Sequence, residues 1–198
     1  GIPEDRAIVL QVSLLVPEKG VEDLLETARI VLAKNRKVHF VVAGDGPRRP
    51  DYMEQARRLV IADHFTWTGL IFDPIREGVY AAADVICLLS RWEEAFGWVI
   101  AEGMMFEKPV IAARVGGIPE VVEDGQSGFL VPRHRPDQAA EKLLALLADP
   151  ALRQRMGSRG RRLAEIRFNL ERNVAELLKL YGVAPHILAG RSHSACAS

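Results

Sequence analysis

The sequence is short of the features that mark several common protein classes. It carries two cysteines in 198 residues. Cys87 sits inside the apolar run Val85-Ile86-Cys87-Leu88-Leu89, whereas Cys196 lies in a polar tail. A disulfide would have to join a core strand to a loose end, so the thiols are expected to be reduced and the chain cytoplasmic. No stretch approaches the ~18 consecutive apolar residues of a membrane span, and no secretory leader is recognised at the start. Net charge is absent as well: 26 Lys and Arg balance 26 Asp and Glu. That balance argues against nucleic acid, or an anionic membrane, bound through bulk charge. The arginine-rich stretch from Arg133 to Arg172 is interrupted by Glu141, Asp149, Glu165 and Glu171, and reads as solvated helix faces. His39, His64, His134, His186 and His193 show no ligand spacing with one another or with the cysteines, so no metal site is expected. No internal repeat and no Ser-His-Asp spacing is visible.

What is present is an alternation. Short apolar runs at Ala7 to Leu15, Val38 to Ala43, Phe65 to Thr68, Val85 to Leu89, Val110 to Ala113 and Gly128 to Val131 read as strands. Between them lie amphipathic stretches: Val21 to Lys34, Tyr52 to Ala62, Ile75 to Ala82 and a helix starting near Phe96. Three helical segments follow, Pro136 to Ala148, Pro150 to Arg167 and Leu170 to Tyr181. Strands alternating with helices predict right-handed crossovers and a mostly parallel sheet. The strands are apolar almost throughout, as required when helices cover both faces. The expected fold is α/β, a doubly wound, Rossmann-like domain over residues 7–183. Residues 1–6 read as a linker or a cloning boundary, and 184–198 as a disordered tail. The length suits one substantial core and is short for two full domains.

In such sheets ligands sit at the carboxyl ends of strands, near the switch in strand order. The densest stretch there runs from Ser90 through Arg91, Trp92, Glu93, Glu94, Ala95, Phe96, Gly97 and Trp98 to Glu102. It passes from a strand end into a helix whose first turn offers free N–H groups and a positive dipole end, suited to a phosphate. Gly97 would allow a ligand close. Eight residues of helix would set Glu94 and Glu102 ~12 Å apart, too far for either glycosidase geometry, at about 5–5.5 or 6.5–9.5 Å. That separation suits one carboxylate for a sugar and one for a ribose beyond a diphosphate. It equally suits a helix-start acid and a surface acid. Gly44-Asp45-Gly46 lacks the third glycine of a dinucleotide fingerprint, with Arg49 in its place, and reads as a tight turn. Trp98 and Phe106 read as core, and Trp92 as a loop residue facing a cleft.

The stretch resembles the E-x7-E motif of the glycogen-synthase-like retaining glycosyltransferases, the "glycosyl transferases group 1" family, with its GT-B fold of two facing Rossmann-like domains. The resemblance continues through Met104 to Ala112, Gly116-Gly117-Ile118-Pro119-Glu120 and Gly128 to Pro132. Upstream it includes Val16-Pro17-Glu18-Lys19-Gly20 and Gly44-Asp45-Gly46-Pro47, and it spans residues 7 to 181. It implies that this chain is the C-terminal, donor-binding half, with the N-terminal domain absent and the chain alone inactive. It implies that Glu94 contacts donor-sugar hydroxyls, Glu102 the ribose, and the Phe96 and Gly97 amides the diphosphate. Lys19 would neutralise the leaving group, and Leu70 and Ile71 would lie along the base. The bound molecule would be a nucleoside diphosphate or nucleotide sugar, with no metal needed. By itself, Lys19 also fits a solvated side chain at a helix start.

The chain departs from the family pattern at three places. Ser13 and Leu14 stand where glycine and a phosphate-gripping arginine are usual, Gly103 and Glu107 follow the second glutamate in place of a small residue and a glycine, and Leu89 replaces a proline. Leu14 keeps a second reading open, a non-catalytic nucleotide-binding or interaction module. A nucleotide-sugar epimerase half shares the architecture and is a third. The stripe Leu170, Val174, Leu177, Leu178, Tyr181 predicts a last helix that is partly exposed, or used in self-association, without the N-terminal domain.

Overall fold

A computed structural model describes residues 1–182. Its centre is one parallel six-stranded sheet. The strands are β1 (Ala7–Val12), β2 (Val38–Ala43), β3 (Phe65–Gly69), β4 (Val85–Leu88), β5 (Val110–Ala113) and β6 (Gly128–Val131). They lie in the order β3-β2-β1-β4-β5-β6. The chain winds outward from β1 to one edge, returns to the middle at β4, and winds to the other edge. This is the doubly wound, Rossmann-like topology that the alternation predicts.

Period-two geometry sends successive side chains to opposite faces, and the core divides accordingly. Val9, Phe40, Val85 and Cys87 join one cluster with α1 (Val21–Leu32), α2 (Arg49–Arg58) and α6 (Pro136–Ala148). Leu10, Val41, Ile86 and Leu88 join the other with α3 (Val79–Ala82), α4 (Trp98–Met105), α5 (Ile118–Val121) and the later part of α7 (Pro150–Arg167). With both faces covered, the apolar character of the strands follows.

Several boundaries differ from the sequence reading, each for a local reason. Ala7 to Leu15 is not strand throughout: β1 stops at Val12, because Leu15 turns to hydrogen-bond Asp45 in the loop after β2, and Leu14 stands 58% exposed. The second helix starts at Arg49 with Pro50 in its first turn, and ends where Val60 takes a φ of 58°. α3 begins only at Val79 because Gly78 has a positive φ. α4 starts at Trp98, not near Phe96. The last helix, α8 (Leu170–Leu180), buries no residue fully, and Leu170, Leu177 and Tyr181 are exposed, matching the expected open stripe. The tail expected to be disordered, with Cys196, His186 and His193, lies outside the described residues. Among those described, no helix is long and apolar enough to cross a membrane.

Cys87 points into the core of β4, where burial pushes its thiol up to about 12. Reactive thiolate is therefore scarce at ordinary pH. Cys87 is expected to stay unmodified by iodoacetamide at pH 8 in the native chain and to alkylate in denaturant. Peptide mass spectrometry at Cys87 reads this directly, and rapid native labelling would contradict the packing.

Candidate functional site

The strand order reverses between β1 and β4, so the loops leaving their carboxyl ends lie side by side. Two glycine-dependent turns bring chemistry into that crevice. Pro17–Lys19 form a short turn that ends at Gly20, whose φ of 65° and close approach exclude a side chain. A Cβ there would lie 1.8 Å from the Leu89 carbonyl oxygen. The Lys19 carbonyl is held by Nε2 of Gln11 at 3.0 Å, and the same amide donates to Ser13 Oγ at 3.1 Å. Gln11 is wholly buried in the middle strand. A buried N–H costs free energy unless bonded; the two Nε2 bonds tie the strand end to the Lys19 turn, while Oε1 has no partner among the described residues.

Across the crevice, Lys19 Nζ pairs with Glu94 Oε1 at 2.7 Å, and Ser90 Oγ donates to the same oxygen. An ion pair this accessible stabilises a fold by about 1 kcal/mol or less; its role is to set positions. The Glu94 segment is held from three sides. Arg91 grips Asp23 with two bonds, 3.0 and 2.7 Å, lies 3.4 Å from Glu22, and donates its backbone N–H to the Glu18 carbonyl at 2.8 Å. Its hydrogen bond to Asp23 raises the guanidinium further above its ordinary range, so it stays charged. Arg133 pairs with Glu93 and donates to the Arg91 carbonyl at 3.2 Å. Gly117 N–H donates to the Glu94 carbonyl at 2.7 Å, and Gly116 N–H to Glu93.

The segment ends at Gly97, whose φ of 85° favours glycine and which caps α4. Among the described residues the amides of Phe96, Gly97, Trp98 and Val99 donate no hydrogen bond within the protein. Free amides at a helix start carry partial positive charge. They border a cleft of about 340 Å³ lined also by Ser13, Leu14, Lys19 and Glu94. The cleft thus combines an ammonium, a set of free N–H donors and a carboxylate. Phosphate oxygens suit the first two, and hydroxyls suit the third.

Of the residues singled out in the sequence, Lys19, Glu94, Phe96 and Gly97 line this cleft together. Leu70 and Ile71 line an adjoining one of about 250 Å³ that shares Val12, Ser13, Leu14 and Val99. Glu102 does not join either. It faces a third cleft of about 300 Å³ between α4 and α7, reached past Trp98, which lines both this cleft and the first. Trp98 is not core, as its apolar ring suggests, but 69% exposed, because α4 begins at that residue. Trp92 is exposed in its loop as expected, and Phe106 is half-buried against Tyr80. Glu94 lies four residues before α4, so helical rise does not set its distance from Glu102.

Gln11 and Tyr80 were not singled out by the sequence reading, and Ser90 was named only as the start of the stretch to Glu102, with no role of its own. Gln11 carried a signal, a polar side chain in an otherwise apolar strand. Ser90 and Tyr80, whose hydroxyl bonds Glu102, carried none in one sequence. His39, bonded to Thr66, and His64, bonded to the Val38 carbonyl and Arg36, serve the packing of β2 and β3.

The reversed strand order and a helix start open to anions define a Rossmann-like α/β domain of the kind found in GT-B glycosyltransferases. Residues 1–163 match the model of the family described as glycosyl transferases group 1, and the chain belongs to that family. It is 35% identical to an alpha-D-kanosaminyltransferase from Streptomyces kanamyceticus, over 90% of this chain and 46% of that protein. Identity to an N-acetyl-alpha-D-glucosaminyl L-malate synthase from Bacillus anthracis is 33%, over 91% and 46%. The chain thus spans about half the length of the curated relatives it matches. Anabaena HepE, solved with UDP and glucose, superposes with a TM-score of 0.79 at 27% identity, over 88% of this chain and 48% of that one. The C-terminal domain of a Francisella tularensis family member superposes with a TM-score of 0.76 at 26% identity, over 85% of this chain and 89% of that domain.

Proposed function

We propose that this chain is the donor-binding half of a retaining glycosyltransferase that moves a sugar from a nucleoside-diphosphate sugar to an acceptor. The observation that carries this is the meeting of Lys19, Glu94 and the free amides of Phe96 and Gly97 in one cleft at the switch in strand order. In this reading the diphosphate lies on the amides and Lys19, where negative charge grows as the sugar leaves. Glu94 turns from Lys19 to the sugar hydroxyls, and Ser90 keeps its carboxylate in place. Leu70 and Ile71 lie along the base, and Glu102 takes the ribose at the far end. Lys19 and the helix start supply positive charge, so no metal is needed. The donor domain covers residues 7–183, an N-terminal domain forms the cleft's other wall, and the enzyme works in the cytoplasm. HepE's UDP complex supports the nucleotide reading.

A second reading, a nucleotide-binding module without turnover, is favoured by one observation. Leu14 lines both clefts where the family carries a cation.

A thermal-shift panel of uridine, guanosine and adenosine diphosphates and their sugar conjugates tests the site. Stabilisation follows RT ln(1 + [L]/Kd), about 2.7 kcal/mol at a hundredfold excess over Kd. One base is expected to stand out, and a flat panel at millimolar ligand would count against the assignment. The same sample is expected to show no sugar transfer. Robust transfer by the homogeneous 198-residue chain would show that no second domain is required.

A further inference from the structure

Tyr80 is wholly buried on α3, its ring stacked on Phe106 with centroids 5.8 Å apart. Its hydroxyl donates to Oε2 of Glu102 on α4. Burial, and then the contact with Glu102, pushes the phenol far above its ordinary range. Tyr80 therefore remains a donor and the carboxylate its acceptor. The last torsion of a glutamate is broad and scarcely restrained by its own backbone. A fixed donor on one oxygen removes that freedom. Among the described residues Glu102 makes no other side-chain hydrogen bond, so Oε1 is left for something outside the protein. Glu102 borders a cleft walled mainly by apolar residues, Ile75, Trp98, Met105 and Phe168 among them, with Glu165 and Asn169 as its other polar lining residues.

We propose that Tyr80 is a positioning residue, clamping Oε2 of Glu102 so that Oε1 faces the ribose hydroxyls of a bound nucleotide. This rests on the assignment of Glu102 to the ribose. Tyr80 itself, being buried, does not touch the nucleotide. Its contribution is to a direction, and its loss should be felt only by ligands that have hydroxyls to present.

The test uses whichever of uridine, guanosine and adenosine diphosphate binds the 198-residue chain tightest, together with its 2′,3′-dideoxy analogue. Both are titrated calorimetrically into the parent, Glu102→Gln and Tyr80→Phe, with folding checked by equal melting temperatures. Tyr80→Phe keeps the buried ring and its stacking. The parent is expected to prefer the ribose form about tenfold, and Glu102→Gln to lose most of that preference. Tyr80→Phe should cut the preference about threefold or more, while binding the dideoxy analogue within about twofold of the parent. A purely structural role for Tyr80 would weaken both nucleotides together, and that result overturns the proposal. If Glu102→Gln erases the preference and Tyr80→Phe leaves it intact, the clamp is wrong and the ribose assignment stands. If the parent shows no preference, if Glu102→Gln retains it, or if none of the three diphosphates binds at millimolar concentration, the ribose assignment falls and takes the clamp with it.

Discussion

Gly20→Ala is expected to cost about 2–4 kcal/mol of folding stability and to abolish nucleotide-dependent stabilisation of whatever folded protein remains. Two penalties act together. Alanine is strained at a φ of 65°, and its Cβ would lie 1.8 Å from the Leu89 carbonyl oxygen, which is backbone and cannot rotate away. Relief requires the turn carrying Lys19 to separate from the end of β4. That separation breaks the bond from Arg91 N–H to the Glu18 carbonyl, and pulls the ammonium from Glu94. Urea denaturation gives the stability, and a thermal shift with a nucleoside diphosphate gives the site. Gly78→Ala is the control, since it too has a positive φ but nothing within 4 Å of an added Cβ. It should cost only about 1 kcal/mol and leave binding intact. Equal losses for the two variants would mean that the close approach at Gly20 is of no consequence.

Leu14→Arg is expected to act in the opposite direction, tightening a nucleoside diphosphate by roughly tenfold. Among the described residues, the cleft pairs its one lining cation, Lys19, with its one lining carboxylate, Glu94, and so brings no net side-chain charge to a diphosphate. One charge-assisted hydrogen bond contributes about 1.5–3 kcal/mol in favourable cases. A buried Leu14 at the end of β1 would make the substitution a threat to folding. The exposed Leu14 in the structure removes that concern: the strand has already ended, and the side chain lines the cleft. Calorimetric titration of both proteins with the diphosphate and with the bare nucleoside separates causes. Tightening confined to the diphosphate supports the phosphate-gripping position. Equal affinity for the diphosphate in the folded variant would show that Leu14 does not occupy it.

The sheet and its winding were legible in the sequence because burial on both faces leaves near-continuous apolar strands, and because Gly44, Gly69 and Pro109 punctuate them. The helix starts were less legible. Phe96 and Gly97 look helical by hydrophobicity, yet the positive φ of Gly97 delays α4 to Trp98, and so places Trp98 in the open. Of the site, the ordered motifs brought Lys19, Glu94, Phe96 and Gly97 to one place, since each follows directly on a strand near the reversal. Glu102 stands apart because position along a helix fixes its side, and Trp98 comes between. The supports around these residues were not legible. Ser90 on Glu94, Tyr80 on Glu102 and Arg91 on Asp23 are contacts across 4, 22 and 68 residues. Periodicity within one element says nothing about which side chain arrives from another.

The ring of Phe96 meets the edge of Phe168 at 4.8 Å, just past the end of α7, and tilts against Trp98 at 4.7 Å. The residue whose amide borders the anion cleft is thus propped from behind by a residue more than seventy positions later. The family match closes at residue 163, before that prop. A truncation drawn at the homology boundary would retain every strand, both glutamates and Lys19, yet release the wedge under the first turn of α4. For anyone trimming this domain for crystallisation, fusion or domain exchange, the workable boundary lies beyond Phe168.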